Sequence, residues 1–201
     1  GQIATGLYNV RLMQKLKDEL AARKQAEDAL THNRNLLLAL GRAANQVQLA
    51  HGADEIFNVV GEQIRALGFE TTILRFGSEK KSLYYQYTSV SEEIIQTAEM
   101  TVGFKAQDFS WSVSEESIYG RVIRERKSEY IADGKNLFKE ALPKYLHPFA
   151  AKLIELLDID NGIIAPLYVD GETLGVMLVY GSKRLGHEDL PAVDSFAVQV
   201  S

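Results

Sequence analysis

Residues Gly162 to Lys183 read GIIAPLYVDGETLGVMLVYGSK. Two β-rich runs, Ile163 to Val169 and Thr173 to Tyr180, flank Asp170-Gly171, a dipeptide suited to a two-residue hairpin turn. In the second run Leu174, Val176, Leu178 and Tyr180 alternate with Gly175, Met177 and Val179, so neither face is polar. A strand apolar on both faces belongs at the centre of a sheet covered on both sides.

Working outward, a final helix is predicted to start near Glu188 and to turn Leu190, Val193, Ala197 and Val200 inward. Upstream, Phe69 to Phe76 and Leu83 to Val90 are strand-like and separated by Gly77-Ser78, which predicts a second hairpin. A third strand is expected near Ala98 to Val102. Residues 115 to 126 read as helix, Glu129 to Ile131 as a short strand, and 136 to 157 as helical pieces interrupted by Pro143 and Pro148. After a break at His51-Gly52, Asp54 is placed to cap a helix carrying Ile56, Phe57, Val60, Ile64 and Leu67 on one face, with Gly68 as its stop. The sum is a mostly antiparallel sheet of about five or six strands sandwiched between helices.

Residues 1 to about 50 contain no proline and read as nearly continuous helix. A stripe stepping by four and three runs through Leu12, Leu16, Glu19, Arg23, Ala26, Leu30, Asn33, Leu37, Leu40, Ala44 and Val47. That is the seam of a coiled coil rather than the broad face of a globular helix. Polar residues dominate the rest of Gln14 to Asp28, so the segment has no core of its own and needs a partner helix. Straight, it would reach about 70 Å at ~1.5 Å per residue. Glu19 and Arg23 are spaced as an i, i+4 pair, and Asn33 is a polar seam residue of the kind that fixes register. The expectation is a marginal parallel homodimer with Leu12, Leu16, Glu19, Arg23, Ala26, Leu30 and Leu37 at its seam.

The pattern resembles the GAF family of sensory domains. SIYGRVIRERKSEYIAD (Ser117 to Asp133) is similar to the family's Gly-x-Val helix and the short strand ending in Asp. The Gly162 to Lys183 stretch resembles its Pro-Leu, Gly, Leu-Gly-Val hairpin, and Asp189-Leu190 with Phe196-Ala197 resembles the start of its last helix. The resemblance covers about residues 34 to 201. It implies an α+β fold, a GAF-like sandwich, with residues 1–33 as a helical coiled-coil connector and 34–201 as the sensory domain. ELAARKQAEDAL (Glu19 to Leu30) is similar to linker helices of bacterial histidine kinases and diguanylate cyclases, which implies signal transduction of the two-component type. QIATGLYNVRL (Gln2 to Leu12) resembles the closing helix of a GAF domain. The expectation is therefore that Gly1 to about Arg11 ends a preceding domain and that the last helix continues past Ser201.

Composition narrows the chemistry. The chain has 201 residues, a net charge of −5 and no cysteine. No basic excess favours nucleic acid, and no apolar run reaches the ~20 residues of a membrane span. Without cysteine there is no thiol nucleophile, thiolate metal site or disulfide, which fits a cytoplasmic setting. Family members that reduce free methionine sulfoxide or attach bilins covalently use cysteine, so neither activity is expected. Of the Asn-Lys…Phe-x-x-x-Asp-Glu pattern of cyclic-nucleotide-binding members, only Lys183 and Asp189 survive, at too short a spacing. The four histidines, His32, His51, His147 and His187, show no pair at metal-ligand spacing, and haem through His147 is not expected. Glu115-Glu116 and Asp158-Ile-Asp160 read as a helix start and a solvated turn rather than an acid-base pair. No enzyme activity and no metal site are expected.

Aromatic residues concentrate between Phe104 and Phe149. In the GAF family this region closes over the ligand, so the resemblance implies candidate ligand-binding residues Phe104, Phe109, Trp111, Tyr119, Arg121, Tyr130, Phe138 and Tyr145, with Ser110 and Lys135 as further polar candidates. Such walls suit a small organic molecule. The competing reading is that the aromatics fill a closed core and the domain only dimerises and transmits strain.

Overall fold

The computed structural model describes residues 2–47, 53–141, 146–169, 171–181 and 185–199. Its helices are α1 (Gln2–Val47), α2 (Ala53–Ala66), α3 (Glu92–Val102), α4 (Ile118–Glu125), α5 (Gly134–Ala141), α6 (His147–Leu156) and α7 (Leu190–Gln199). Its strands are β1 (Glu70–Phe76), β2 (Ser82–Thr88), β3 (Ser110–Ser112), β4 (Glu129–Ile131), β5 (Asn161–Val169) and β6 (Glu172–Gly181). They form one antiparallel sheet in the order β3-β2-β1-β6-β5-β4.

The strand expected at the centre is there: β6 lies between β1 and β5. Its side chains alternate between two cores, with Met177 and Val179 on one face and Val176, Leu178 and Tyr180 on the other. The pairing of Val169 with Glu172 leaves a two-residue hairpin connection in which Gly171 has φ of 80°. Gly175 permits the close approach of β1, because a Cβ there would stand 2.0 Å from the Leu74 carbonyl oxygen.

The first core packs α1, α2 and α7 on the sheet. It holds Leu36 from α1, Val60 and Ile64 from α2, and Val193, Phe196 and Ala197 from α7. The second, on the opposite face, gathers Leu74, Leu83, Ile118, Tyr119, Val122, Ile164, Val176, Leu178 and Tyr180. Ser117 caps α4 by accepting the Gly120 N–H at 3.1 Å, and Asp133 Oδ1 accepts the Lys135 N–H at 2.9 Å ahead of α5. Gly68 ends α2 with φ of 87°. The break at His51-Gly52 lies outside the described residues.

Three sequence expectations are corrected. Residues 98–102 are not a strand but the C-terminal half of α3, which starts after Ser91 and stops at Gly103 in the left-handed conformation. Ile94, Ile95, Ala98 and Val102 recur at helical spacing, and Glu92 and Glu93 favour a helix N-terminus. The strand that flanks β2 comes later, at Ser110–Ser112. Asp54 lies inside the first turn of α2 rather than ahead of it. On α1 the ion pair runs from Arg23 to Glu27 at 3.2 Å instead of to Glu19. Asn33 Nδ2 donates to the Glu188 carbonyl at 2.9 Å.

Candidate ligand-binding cavity

The second sheet face does not close completely. Between it and the covering helices lies a cavity of about 160 Å³, room for about five water molecules at ~30 Å³ of liquid volume each. Its floor is the sheet: Thr72 and Leu74 from β1, Tyr85 and Thr88 from β2, Leu178 and Tyr180 from β6. Alternation places Thr72 and Leu74, like Leu178 and Tyr180, on one face. The roof takes Ile95, Ala98, Glu99 and Val102 from α3, spaced i, i+3, i+4, i+7 as one helical face. Tyr119, Leu137, Leu153, Leu157 and Ile159 close the far side.

An aromatic wall joins roof to sheet. Gly103 turns the chain out of α3, and Phe104 stacks on Phe109 with centroids 5.4 Å apart. The turn between them is held by Glu99 Oε1, which accepts the Ala106 N–H at 2.8 Å. Phe109 in turn meets Trp111 edge-on at 4.5 Å, a favoured geometry for paired rings. Pairing of β3 with β2 sets Trp111 opposite Leu83.

Polar atoms are few and mostly hydroxyls. Thr72 Oγ1 lies 3.0 Å from both Thr88 Oγ1 and the Tyr180 hydroxyl. Burial pushes the Tyr180 phenol up from its ordinary pKa, against the lowering effect of its hydrogen bonds to the two threonines. Burial, reinforced by Tyr180, Tyr87 and Glu99, raises Tyr85 to about 12. Both phenols are therefore neutral at physiological pH. Glu99 is the only ionisable acid or base, phenols aside, among the described lining residues.

Of the candidates implied by resemblance, Phe104, Phe109, Trp111 and Tyr119 line the cavity. Arg121 and Tyr130 do not. Arg121 Nη2 donates to Glu129 Oε1 at 2.8 Å and Nη1 to the Glu116 carbonyl at 3.2 Å, tying α4 to β4 and to the preceding loop. Tyr130 packs against the core on the other sheet face, with its ring edge-on to His187 at 6.3 Å. Ser110 and Lys135 are exposed and absent from the lining. Phe138 belongs to α5 but its side chain, like all of Tyr145, lies outside the described residues. His147 opens α6, is exposed and does not line the cavity. The sheet floor and the α3 roof were missed by sequence reasoning; the helical spacing of Ile95, Ala98, Glu99 and Val102 was the available signal for the roof.

Among the described residues no three histidine, aspartate or glutamate side chains gather as metal ligands, and no helix is long and apolar enough to cross a membrane.

A six-stranded antiparallel sheet with α1, α2 and α7 on one face and a roofed chamber on the other defines the class, an α+β domain built around an internal cavity. The GAF domain family model matches residues 50–201, and the chain belongs to that family. Among solved structures it is similar to residues 122 to 287 of a methyl-accepting chemotaxis protein, at 20% identity and a TM-score of 0.54, covering 79% of this chain and 92% of that one. It is similar also to the GAF domain of a phosphoenolpyruvate-protein phosphotransferase from Coxiella burnetii, at 17% identity and a TM-score of 0.59, covering 84% and 91%. A third similar structure, fRMsr of Staphylococcus aureus, shows 12% identity and a TM-score of 0.52, covering 83% and 92%. No curated protein matches the chain.

Proposed function

We propose that the domain is a non-catalytic sensory module. It binds a small organic molecule in the cavity and relays occupancy through α1, paired in a parallel homodimer, to an output domain elsewhere in the polypeptide. The observation that carries this reading is the position of β6. Leu178 and Tyr180 form part of the cavity floor, while Met177 and Val179 on the same strand pack in the core that holds Leu36 of α1. A ligand that shifts the floor therefore acts on a strand in direct touch with the core under the connector. Boundaries at 1–33 for the connector and 34–201 for the sensory domain agree with Leu36 being buried at 3% exposure while residues 11–31 of α1 are exposed. The support for a non-enzymatic role is the lining itself: among the described residues it has apolar walls, neutral phenols and one acidic residue, Glu99, and no nucleophile beside a base. The reading places the domain in the cytoplasm, with other domains of its own chain as partners.

Mass spectrometry of material released from the purified, denatured protein tests the proposal. A stoichiometric small molecule, absent from a variant whose cavity is filled by Ala98→Phe, is the expected result. An empty wild-type protein that is also indifferent to a broad metabolite screen would leave only a dimerising spacer.

A further inference from the structure

Resting on the reading of the cavity as a ligand site, we infer that the molecule it takes is compact, uncharged and apolar, the size of one substituted ring. The lining carries the inference, because the surface that faces the space is almost wholly carbon. Thr72, Thr88, Tyr180 and Glu99 already have hydrogen-bond partners within the protein. Thr72 Oγ1 lies 3.0 Å from both Thr88 Oγ1 and the Tyr180 hydroxyl. Thr88 Oγ1 also donates to the Thr71 carbonyl at 3.2 Å and accepts the Val90 N–H at 3.3 Å. Glu99 Oε1 accepts the Ala106 N–H at 2.8 Å. No lysine, arginine or histidine lines the cavity among the described residues.

A molecule that enters gives up its water, and what the wall returns decides which kind is held. An ion of either sign would leave water for a surface that aims no counter-charge at it, which is strongly disfavoured. A neutral molecule rich in hydroxyls or amides loses hydrogen bonds that this wall does not replace, and that too costs affinity. Apolar surface gains on leaving water wherever it is covered. Water itself competes weakly, since a buried water needs about two to four polar partners. Size follows from the volume. An apolar cavity of ~150 Å³ admits benzene, so the space of about 160 Å³ here takes one ring with a short substituent. The wall suits a ring: Phe104 stacked on Phe109, with Trp111 edge-on, presents both a face and an edge.

The test is a series of nearly one shape, ethylbenzene, benzyl alcohol, benzylammonium and benzoate, each titrated by calorimetry into the full chain. Ethylbenzene is expected to bind at least about tenfold tighter than benzyl alcohol, and the two ions weakest. Ala98→Phe, which fills the space from the roof, should remove ethylbenzene binding. Should that variant fold poorly, the wild-type order of affinities still decides. If benzyl alcohol or either ion binds as tightly as ethylbenzene, the cavity is a ligand site but the apolar assignment is wrong. If ethylbenzene binds a folded Ala98→Phe variant undiminished, it sits elsewhere and the assignment is likewise overturned. If the series is silent while a charged or strongly polar metabolite copurifies, the site stands and its apolar class falls. If the series, a wider panel of small apolar molecules and a screen of polar metabolites are all silent, both the ligand class and the cavity reading fail.

Discussion

Tyr85 is the residue at which the cavity's environment can be measured directly. Its phenol is raised from 10.0 to about 12 because burial disfavours the phenolate, with Tyr180, Tyr87 and Glu99 adding to the effect. A raised folded-state pKa contributes stability that is fully present below the unfolded value, near 10, and is lost as pH rises through the folded value, near 12. Urea unfolding midpoints should therefore decline between those limits, and Tyr85→Phe should decline less; equal slopes in the two proteins would mean that Tyr85 is solvated. Tyr180, fully buried and likewise raised, acts in the same direction. Gly175 is a second residue with a sharp expectation. A Cβ there would lie 2.0 Å from the Leu74 carbonyl oxygen and 2.9 Å from the Arg75 Cα, so neither neighbour is a flexible side-chain end that can swing aside. Gly175→Ala must separate β1 from β6 and is expected to cost about 1–3 kcal/mol or more by overpacking, read as a lower urea midpoint. Retention of the wild-type midpoint would mean the two strands have slack that the register does not show.

At the scale of elements, α1 is the one whose exposed apolar surface asks for a partner. Leu12, Leu16 and Leu37 are 47%, 48% and 48% exposed and Leu30 is 73% exposed in the single chain, while Glu19, Arg23 and Ala26 are exposed between them. Met13, Leu20 and Leu38, outside the seam read from sequence, are exposed as well. The paired substitution Leu16→Asp with Leu30→Asp places charges on that stripe and should convert a dimer into a monomer in light scattering, with the domain still folded. A wild-type monomer at tens of micromolar would remove the connector from the mechanism. The elements also show what the sequence made legible. The last hairpin was readable because the β-rich runs of β5 and β6 and the Asp170-Gly171 turn are local signals, and β6 was placed centrally because both its faces are apolar. α3 was misread because Thr97, Thr101 and Val102 are strand-prone and its start, Ser91, makes no side-chain capping bond. That error concealed half of the site, since Ile95, Ala98, Glu99 and Val102 are the roof. The aromatic segment did lead to Phe104, Phe109, Trp111 and Tyr119. It did not separate them from Arg121, whose partner Glu129 lies eight residues away, or from Tyr130, because which sheet face a short strand presents is settled by distant packing.

At the scale of the whole molecule, cavity, sheet and connector form one sequence of contacts, and Trp111 reports on its first link. It is the only tryptophan in the chain, it lines the cavity, and its ring meets Phe109 edge-on at 4.5 Å. A molecule that enters must displace water beside the indole or move the wall that holds it, so its emission should shift or quench saturably. The same binding should raise the melting temperature by linkage. At a hundredfold excess over Kd the gain is about 2.7 kcal/mol, which for a chain of this size is on the order of 5–10 °C. The two signals should give one Kd. Trp111→Phe should erase the fluorescence response and keep much of the thermal shift, whereas loss of both would make the indole itself a ligand contact. Ala98→Phe, which places a ring in the cavity from the roof, should abolish both responses without lowering the ligand-free melting temperature by more than a few degrees. A thermal shift that persists in that variant, unaccompanied by any change at Trp111 in the wild type, would locate binding elsewhere on the domain and disconnect this cavity from the signal.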